Sequence, residues 1–567
     1  MPNIFSYEAE RGNPASELMI IGDAPSKKDF EKGQCFSGSG SLFFIKELEN
    51  AGHYFHKSYA LTALDYYPPS GRAENCFHKK TNAKNDHTIK LVNGAYVKDA
   101  VLRNAKRVWQ TIDRVKPKFI LALGNMSLWM LTGEQSVAKA RGSMLEIKRP
   151  WGVVRLLPTY HPNAIMRKLE LKRVFRNDLA RINIDGSGWD RPSFDFILYP
   201  DADTVLRTLQ MLYDKAGERQ KRSGEKVHIA SDVETRGGII SVAGLAWSKT
   251  EALVIPFFTV KKANYFTPEE EFKIVKALRA VLTHPYIEIS GQNYNYDDQY
   301  YARHLGIPHH CTWDSQHMAH MLWTKNLPLR LDFLSSMFCD WYQYWKDDGK
   351  DFHKSIEREE DELIYFKYNG HDCCYTWEIV EKLKPAMMSS DYKDPYAFQQ
   401  AMHPHLARTM NRGTRFDKRL QAKMRDETNW KINQYARWFE SLPIQDWFAG
   451  STGVPWYNSS HKLKKLFYEI FKLDKITKRT PNGYRPTCDQ AALKTIGKRE
   501  PVLKHLCDRL CEYSSLQQFN NLYLAAQPDT DGRMRSSYDL AGTDTFRLAS
   551  RGDAFGTGMN LQNVSKG

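Results

Sequence analysis

Several common features are missing from this chain, and each absence argues against a class of protein. No stretch of about 18 apolar residues occurs, so the sequence predicts no membrane-spanning helix. The first residues contain no basic segment leading into an apolar one, so we expect no secretory signal. The nine cysteines include no Cys-x-x-Cys pair, which argues against a local zinc site and favours free thiols in a reducing compartment.

What the chain does have is length and positive charge. Its 567 residues are too many for a single core, so roughly three or four domains are expected. The residues are 42% hydrophobic and 26% charged, which is typical of a globular protein. The net charge of +15 favours a polyanionic partner, most simply nucleic acid, although it could also serve solubility alone.

The pattern of apolar residues divides the chain into three regions. In the first region, residues 1–190, short apolar strands alternate with helices, which predicts a mainly parallel α/β sheet. The second region, residues 191–390, repeats this alternation. The third region, residues 391–567, is mostly helical by pattern. We therefore predict a multidomain α/β protein that ends in a mostly helical part.

The most informative residues are acidic and lie in the second region. Asp232 and Glu234 are two apart in a predicted strand, so their side chains leave the same face. Paired carboxylates repel one another unless a cation lies between them, and Mg²⁺ prefers such oxygen ligands. Further along, Asp297 opens a predicted helix. Tyr368 and Asp372 are four apart, so they share one face of another helix.

The segments "DVET", "NYNYD" and "YNGHD" around these residues resemble the three motifs of proofreading 3′–5′ exonucleases, in the subgroup with tyrosine in the third motif. The resemblance implies a ribonuclease H-like α/β domain. In such a domain Asp232, Glu234, Asp297 and Asp372 would hold two Mg²⁺ or Mn²⁺ ions, and Tyr368 would orient the attacking water. Asp314 lies between the motifs and is expected to be structural.

The third region resembles the start of the polymerase portion of family A DNA polymerases. "LARTMNRGTRFD" is similar to the helix after the exonuclease domain, and "WYNSSHKLKKLFYEIFKLDKI" is similar to the thumb, with Asn458 in its turn. The tail "TDTFRLAS…NLQN" resembles the stretch leading into the palm. By this resemblance Arg547, Asn560 and Gln562 would face primer–template DNA and grip it without reading its sequence. In the tail Phe546 replaces the usual glycine.

In that family the metal-binding aspartates of the palm and the lysine of the fingers come after this stretch, and the printed sequence does not include them. Two explanations stay open: a polymerase split between two polypeptides, with palm and fingers on the second, or a fragment. A split replicative polymerase of a bacterial virus is the preferred interpretation, which implies a location in the host cytoplasm.

The first region resembles the uracil-DNA glycosylase fold over about 180 residues, through "GDAPSKKDFEKGQCFSGSGSLFFIKELENAG" and "LLPTYHPNAIMRK". This resemblance implies that Asp23 activates water, Phe36 stacks on a flipped base and His161 stabilises the departing uracil anion. The branch that it most resembles often carries an iron–sulfur cluster. Since this region has only Cys35 and Cys76, no cluster is expected. Ala63 stands where the family has an asparagine that reads uracil.

These observations leave four functional hypotheses. The favoured one is an exonuclease acting on DNA as the amino-terminal portion of a family A polymerase. The others are a uracil-excising repair enzyme, a non-catalytic DNA-binding subunit of a split polymerase, and an RNA-trimming exonuclease. The RNA-trimming enzyme would share the carboxylates but would lack the thumb-like third region.

Overall fold

A computed structural model describes residues 7–83, 86, 88–347, 356–448, 450, 453–480 and 483–564. By internal packing the chain divides into two compact units. One unit contains residues 1–405 together with 540–548, and the other contains residues 406–539 together with 549–567. The first and second regions thus lie in one unit. The boundaries predicted near residues 190 and 390 stay predictions.

The first region is built on a six-stranded sheet in which strands β2, β3, β6 and β8 are parallel and β1 and β7 are antiparallel edges. The strand order is β1-β3-β2-β6-β8-β7, and β4 and β5 form a separate hairpin. The strands are β1 Glu10–Gly12, β2 Leu18–Gly22, β3 Tyr59–Thr62, β4 Ile89–Val92, β5 Ala95–Lys98, β6 Phe119–Leu123, β7 Leu145–Arg149 and β8 Gly152–Thr159. The helices are α1 Lys27–Glu31, α2 Ser39–Asn50, α3 Lys80–Ala83, α4 Asp99–Val115, α5 Asn125–Thr132, α6 Val137–Ala140, α7 Pro162–Arg167 and α8 Lys172–Leu179.

The second region contains a mixed sheet of six strands in the order β14-β13-β10-β11-β12-β9, in which β11 runs antiparallel to both of its neighbours. The strands are β9 Asp195–Ile197, β10 Val227–Arg236, β11 Ile239–Ala246, β12 Glu251–Pro256, β13 Ile287–Gly291 and β14 Cys311–Asp314. The helices are α9 Ala202–Arg222, α10 Pro268–Leu282, α11 Asn295–His304, α12 Ser315–Trp323, α13 Leu331–Phe338 and α14 Glu359–Met387.

The third region is mainly helical, and the predicted α/β multidomain class is confirmed. Its helices are α15 Lys393–Arg412, α16 Lys418–Glu440, α17 Ser460–Lys464, α18 Gln490–Arg499 and α19 Lys504–Phe519. Short strands pair as β15 Thr414–Arg415 with β18 Arg533–Met534, β16 Thr477–Thr480 with β17 Gly483–Pro486, and β19 Ser537–Asp539 with β20 Ala549–Arg551. No helix in the described part of the chain is long and apolar enough to cross a membrane.

The apolar core of the first region continues into that of the second. One buried cluster joins Phe119 and Trp189 of the first region to Leu334 and Trp345 of the second. All nine cysteines are buried free thiols. Because transferring apolar surface out of water is the main favourable contribution to folding, this shared cluster stabilises the two regions together.

The carboxylate of Asp314 is buried and accepts four backbone hydrogen bonds, which explains its structural role. The donors are the N–H groups of Asn293 at 3.1 Å, Tyr294 at 2.9 Å, Gln316 at 2.9 Å and His317 at 3.3 Å. The last two belong to the first turn of α12, which Asp314 caps. One side chain therefore joins the start of α12 to the loop that precedes α11.

We expect Asp314→Ala to lower the free energy of unfolding by about 2 kcal/mol or more, because it removes a helix cap and leaves buried N–H groups without an acceptor. Thermal unfolding of the full chain measures this. Asp314→Asn, which keeps one acceptor oxygen, should lose less. An alanine variant as stable as the unsubstituted protein would contradict the structural role.

Candidate metal centre

The strand β10 presents Asp232 and Glu234 on one face, as their two-residue spacing predicts. A shift of register with β11 falls directly after Glu234. Such bulges commonly occur next to functional sites, where they redirect side chains. Gly237 and Gly238 then make the turn into β11, both with positive φ. The strand therefore places two carboxylates together just before the chain reverses.

The helix α14 passes over this face and adds Asp372. One carboxylate oxygen from each of Asp232, Glu234 and Asp372 lies within 4.8 Å of the other two. Tyr368 lies one turn earlier on the same helix. Between them, Asn369 donates a hydrogen bond from Nδ2 to Asp232 Oδ2 at 2.8 Å. The predicted strand and helix spacings thus bring three acidic side chains together.

The fourth predicted ligand, Asp297, lies next to this cluster of three carboxylates but is not one of its members. Its Oδ1 accepts a hydrogen bond from the backbone N–H of Val233 at 2.8 Å, and the side chain is buried. Val233 lies between Asp232 and Glu234 in the strand. The structure thus fixes Asp297 to the strand that carries the other two carboxylates, and its role as a ligand stays a prediction.

Burial and mutual repulsion make these carboxylates hold their protons more tightly than exposed ones do. Burial, and then the nearby Asp372 charge, raise the pKa of Asp232 to about 7. Burial and the charge of Asp232 raise the pKa of Glu234 and that of Asp297. Burial also raises the pKa of Asp372, against the lowering effect of Lys346. Asp297 and Asp372 are buried, and Asp232 and Glu234 are partly exposed. A group of like charges in this state is stabilised by either protons or cations.

The donor set fits a divalent cation such as Mg²⁺ or Mn²⁺. Three carboxylates supply hard oxygen atoms, and their oxygens are close enough to share an ion. The cluster is the only group of three or more close His, Cys, Asp or Glu side chains among the described residues. Its chemistry thus agrees with the cofactor that the sequence predicts.

Two residues that contact Asp372 lie outside the three motifs, so the sequence analysis could not identify them. Trp345 donates from Nε1 to Asp372 Oδ1 at 2.7 Å. Lys346 donates from Nζ to Asp372 Oδ2, and to the Tyr368 hydroxyl at 2.8 Å. Burial alone would lower the pKa of Lys346, but the charges of Asp372, Glu234 and Asp232 raise it. The ammonium group therefore stays charged. Asn369, in contrast, lies within the quoted segment "YNGHD".

In the first region, Asp23 is held by the start of helix α5. Its carboxylate accepts hydrogen bonds from the backbone N–H groups of Asn125 at 3.1 Å, Met126 at 2.8 Å and Ser127 at 2.9 Å. The side chain is 6% exposed. Burial raises the pKa of the Asp23 carboxyl to about 7, while these N–H groups at a helix N-terminus favour its charged form. Its proposed role in activating water stays a prediction.

Phe36 and His161 line one cavity of about 250 Å³. Phe36 has a φ of +53°, so its position in the cavity comes with an uncommon backbone conformation. The Nδ1 atom of His161 accepts from the backbone N–H of Asn163 at 3.2 Å. Desolvation, and then the charge of Arg167, lower the pKa of His161 to about 4, so the ring is neutral with its proton on Nε2.

The four predicted DNA-contacting residues lie at or near the surface. Arg547, Gln562 and Asn458 are exposed, and Asn560 is half-buried. Asn560 Oδ1 accepts from the backbone N–H of Gln562 at 3.0 Å, which closes a short turn. DNA contact by these four residues stays a prediction.

Phe546, in place of a glycine, adopts the left-handed conformation that glycine favours, with a φ of +58°. Its ring packs against His320 with centroids 4.5 Å apart. Phe546 thus combines a backbone conformation typical of glycine with a side-chain contact that glycine could not make.

Comparison with known protein families identifies the class of the first two regions. Residues 9–181 match the uracil DNA glycosylase superfamily, and residues 213–388 match the 3′–5′ exonuclease family. The chain therefore contains a uracil-DNA-glycosylase-like domain followed by a 3′–5′ exonuclease domain. Both predicted resemblances are confirmed at this level.

Individual relatives extend the similarity. Over 540 residues the chain is 23% identical to the DNA polymerase of Bacillus phage SP01, covering 80% of this chain and 55% of the phage protein. The chain thus spans about half the length of that polymerase. The type-4 uracil-DNA glycosylase of Archaeoglobus fulgidus is 22% identical over 194 residues, covering 34% of this chain and 88% of the glycosylase.

A solved structure is also similar, the POL domain of Pol1 from M. smegmatis in complex with DNA primer-template and dNTP. The identity is 16%, the TM-score is 0.44, and the match covers 63% of this chain and 55% of the other.

We expect divalent cations to stabilise the protein more at about pH 8 than at about pH 5.5. The folded-state pKa of Asp232 is raised to about 7, above an ordinary value of about 3.9. Between these values the folded, metal-free protein binds more protons than the unfolded chain, so its stability falls as pH rises. Bound Mg²⁺ would offset this loss of stability. Thermal unfolding at both pH values, with Mg²⁺ and with a chelator, measures the stabilisation by the cation.

The double variant Asp232→Ala, Glu234→Ala is the control for this experiment, and it should show little stabilisation by Mg²⁺ at either pH. An equal response of the variant and the unsubstituted protein would show that the ion binds elsewhere.

Proposed function

We propose that this chain is the amino-terminal portion of a family A DNA polymerase and that it hydrolyses the 3′-terminal phosphodiester of DNA during replication. The observation that carries the proposal is the convergence of Asp232, Glu234 and Asp372 within 4.8 Å in a domain that matches the 3′–5′ exonuclease family. The proofreading role follows from the similarity to a phage DNA polymerase over most of the chain.

In this proposal Asp232, Glu234, Asp297 and Asp372 hold two Mg²⁺ or Mn²⁺ ions. When bound, such ions neutralise charge on the attacking and leaving oxygens of a phosphodiester. The chain itself contributes the carboxylates in a fixed arrangement. Asn369 and the N–H of Val233 each hold one carboxylate in place, which reduces the reorganisation needed when the substrate binds.

Tyr368 would orient the water that attacks phosphorus. Its hydroxyl accepts a hydrogen bond from Lys346, so the phenolic proton is directed away from Lys346, toward Asp372 or a water bound beside it. Burial, and then the charge of Asp372, raise the pKa of Tyr368, so the phenol is neutral and keeps its proton. A neutral phenol of this kind can position a water by hydrogen bonding without acting as a base.

The third region would bind the primer–template duplex. Its basic residues and the net charge of +15 favour contact with phosphates. Arg547, Asn560, Gln562 and Asn458 are the proposed contacts, because they carry long or branched polar side chains at or near the surface.

Nucleotide addition would require palm and fingers residues beyond those printed here, on the same polypeptide or on a second one. If the source is a bacterial virus, the polymerase would act in the host cytoplasm.

Replacing Asp232 and Glu234 together with alanine should abolish digestion of single-stranded DNA, because the cations lose two of their ligands. Release of labelled 3′-terminal nucleotides in Mg²⁺ measures the activity. Glu269→Ala is the matched control, since Glu269 is an exposed acidic residue on the first turn of α10. Digestion that survived in the double variant would contradict the assignment.

A second candidate function is uracil excision by the first region. The cavity with Phe36 and a neutral His161 favours it, because an imidazole Nε2–H can donate to a departing uracil anion. One observation opposes it: Ala63 is fully buried and cannot hydrogen bond to a base. We therefore propose that this domain binds DNA or a partner without excising uracil.

We expect the purified chain to release no free uracil from uracil-containing DNA, because it lacks a side chain that recognises the base. Incubation with labelled substrate and chromatography of the free base measure the release, and an active uracil-DNA glycosylase is the positive control. Release that disappeared in His161→Ala would establish excision in place of simple binding.

A further inference from the structure

Residues 339–347, here called the connecting segment, follow helix α13 without forming a helix or a strand. The segment belongs to the second region in sequence. Its beginning is also held there, because the backbone N–H of Asp340 donates to Glu378 of α14 at 2.9 Å. The segment also contacts the first region along its length.

Two hydrogen bonds that involve backbone atoms attach the later part of the segment to the two residues just before strand β7. The N–H of Met144 donates to the carbonyl oxygen of Tyr342 at 2.8 Å. The N–H of Tyr344 donates to the hydroxyl of Ser143 at 3.1 Å, and Ser143 is 1% exposed. Because both bonds involve the main chain of the segment, they fix its path and not merely the direction of a side chain.

Charged side chains of the first region reinforce this attachment. Arg141 is buried with its partner Asp178 and donates to the hydroxyl of Ser336 in α13 at 2.6 Å. Arg181 donates to the carbonyl oxygen of Cys339 at 2.7 Å. At the surface, Lys139 pairs with Asp347 at 2.9 Å. The first region therefore holds the segment from its start to its last described residue.

The two residues that follow Tyr344 in the segment, Trp345 and Lys346, reach the carboxylate cluster. Trp345 and Lys346 hydrogen bond to the two different oxygens of Asp372, and Lys346 also reaches Tyr368. The Trp345 ring is 6% exposed and packs on Tyr375, with centroids 4.4 Å apart. Since each carboxylate oxygen has two lone pairs, these bonds orient Asp372 while leaving it able to bind a cation.

Only one residue separates Tyr344, which Ser143 holds, from Lys346. A shift of the backbone at Tyr344 would therefore move both donors away from Asp372. Groups that orient a metal ligand from behind commonly affect metal affinity or activity by about 10–100-fold when removed. The first region can in this way influence a site that contains none of its own residues.

We propose that the glycosylase-like first region is a positioning element of the exonuclease site, with Ser143 and Met144 holding the segment through which Trp345 and Lys346 orient Asp372 and Tyr368. This inference rests on the proposed nuclease function. It gives the first region a role in the nuclease reaction that requires no glycosylase chemistry, and it makes Trp345 and Lys346 positioning residues.

The test uses the full chain with substitutions at both ends of the connection. Lys346→Met removes the ammonium but keeps the length of the side chain, and Lys346→Arg is the conservative variant. Ser143→Ala removes the acceptor for Tyr344, and Ser187→Ala, at an exposed serine of the same region, is its control. The readouts are kcat and KM on a single-stranded 3′ end, Mn²⁺ binding by calorimetry, and hydrogen exchange of the segment's amides.

For Lys346→Met we expect kcat to fall by about 10–100-fold and Mn²⁺ to bind more weakly, with KM for DNA nearly unchanged. Lys346→Arg should recover part of the loss. Ser143→Ala should accelerate exchange at Tyr344 and change kcat and Mn²⁺ binding in the same direction, by a smaller factor. If Ser143→Ala does not fold, Lys139→Glu and Asp347→Lys should each lower kcat, and their combination should restore it.

Two outcomes would overturn the proposal. One is faster exchange in Ser143→Ala with kcat and Mn²⁺ binding equal to those of Ser187→Ala. The other is tighter Mn²⁺ binding in Lys346→Met, which would show that the ammonium competes with the cation. Either result, with digestion still lost in the Asp232 and Glu234 double variant, would leave the nuclease assignment standing. Digestion that persists in the double variant would instead remove the nuclease assignment itself.

Discussion

The repulsion among the carboxylates of Asp232, Glu234 and Asp372 is the constraint on which the rest of the site depends. Bringing three acidic groups within 4.8 Å of one another in a largely desolvated place is unfavourable, because desolvation and like charge both oppose ionisation. The surroundings supply donors to offset this cost. Asn369 donates to Asp232, and Trp345 and Lys346 donate to Asp372. The unfavourable charge is thus maintained by a shell of hydrogen bonds, and that shell prepares the site for a cation.

Local spacing explains why the carboxylates themselves could be predicted from the sequence. Two residues in a strand and four in a helix place side chains on a common face, so Asp232 with Glu234, and Tyr368 with Asp372, need no tertiary knowledge. The start of α10 is local in the same way, because Thr267 and Glu270, three residues apart, cap it through reciprocal hydrogen bonds. The alternation of strands and helices similarly predicted the α/β class of the first two regions.

Contacts between distant parts of the chain could not be predicted in this way. Lys346 lies in no motif, and its bond to Asp372 depends on the path of a segment that residues 143 and 144 hold. The capping of α5 by Asp23 joins residues about a hundred positions apart. Neither contact leaves a periodic signal in the sequence, because each depends on how two separately predictable elements pack against one another.

In our proposal the first region does not excise uracil but keeps a structural use. Ala63 offers no hydrogen bond to a base, and three N–H groups at the start of α5 hold Asp23. The features that retain a clear physical role are the shared apolar core and the buried Arg141–Asp178 pair beside α13. A buried ion pair contributes little net stability by itself, but removing one partner is costly. Such a pair therefore fixes the geometry of the contact with α13 more than it strengthens that contact, and the metal-binding role that we propose for Asp372 depends on geometry.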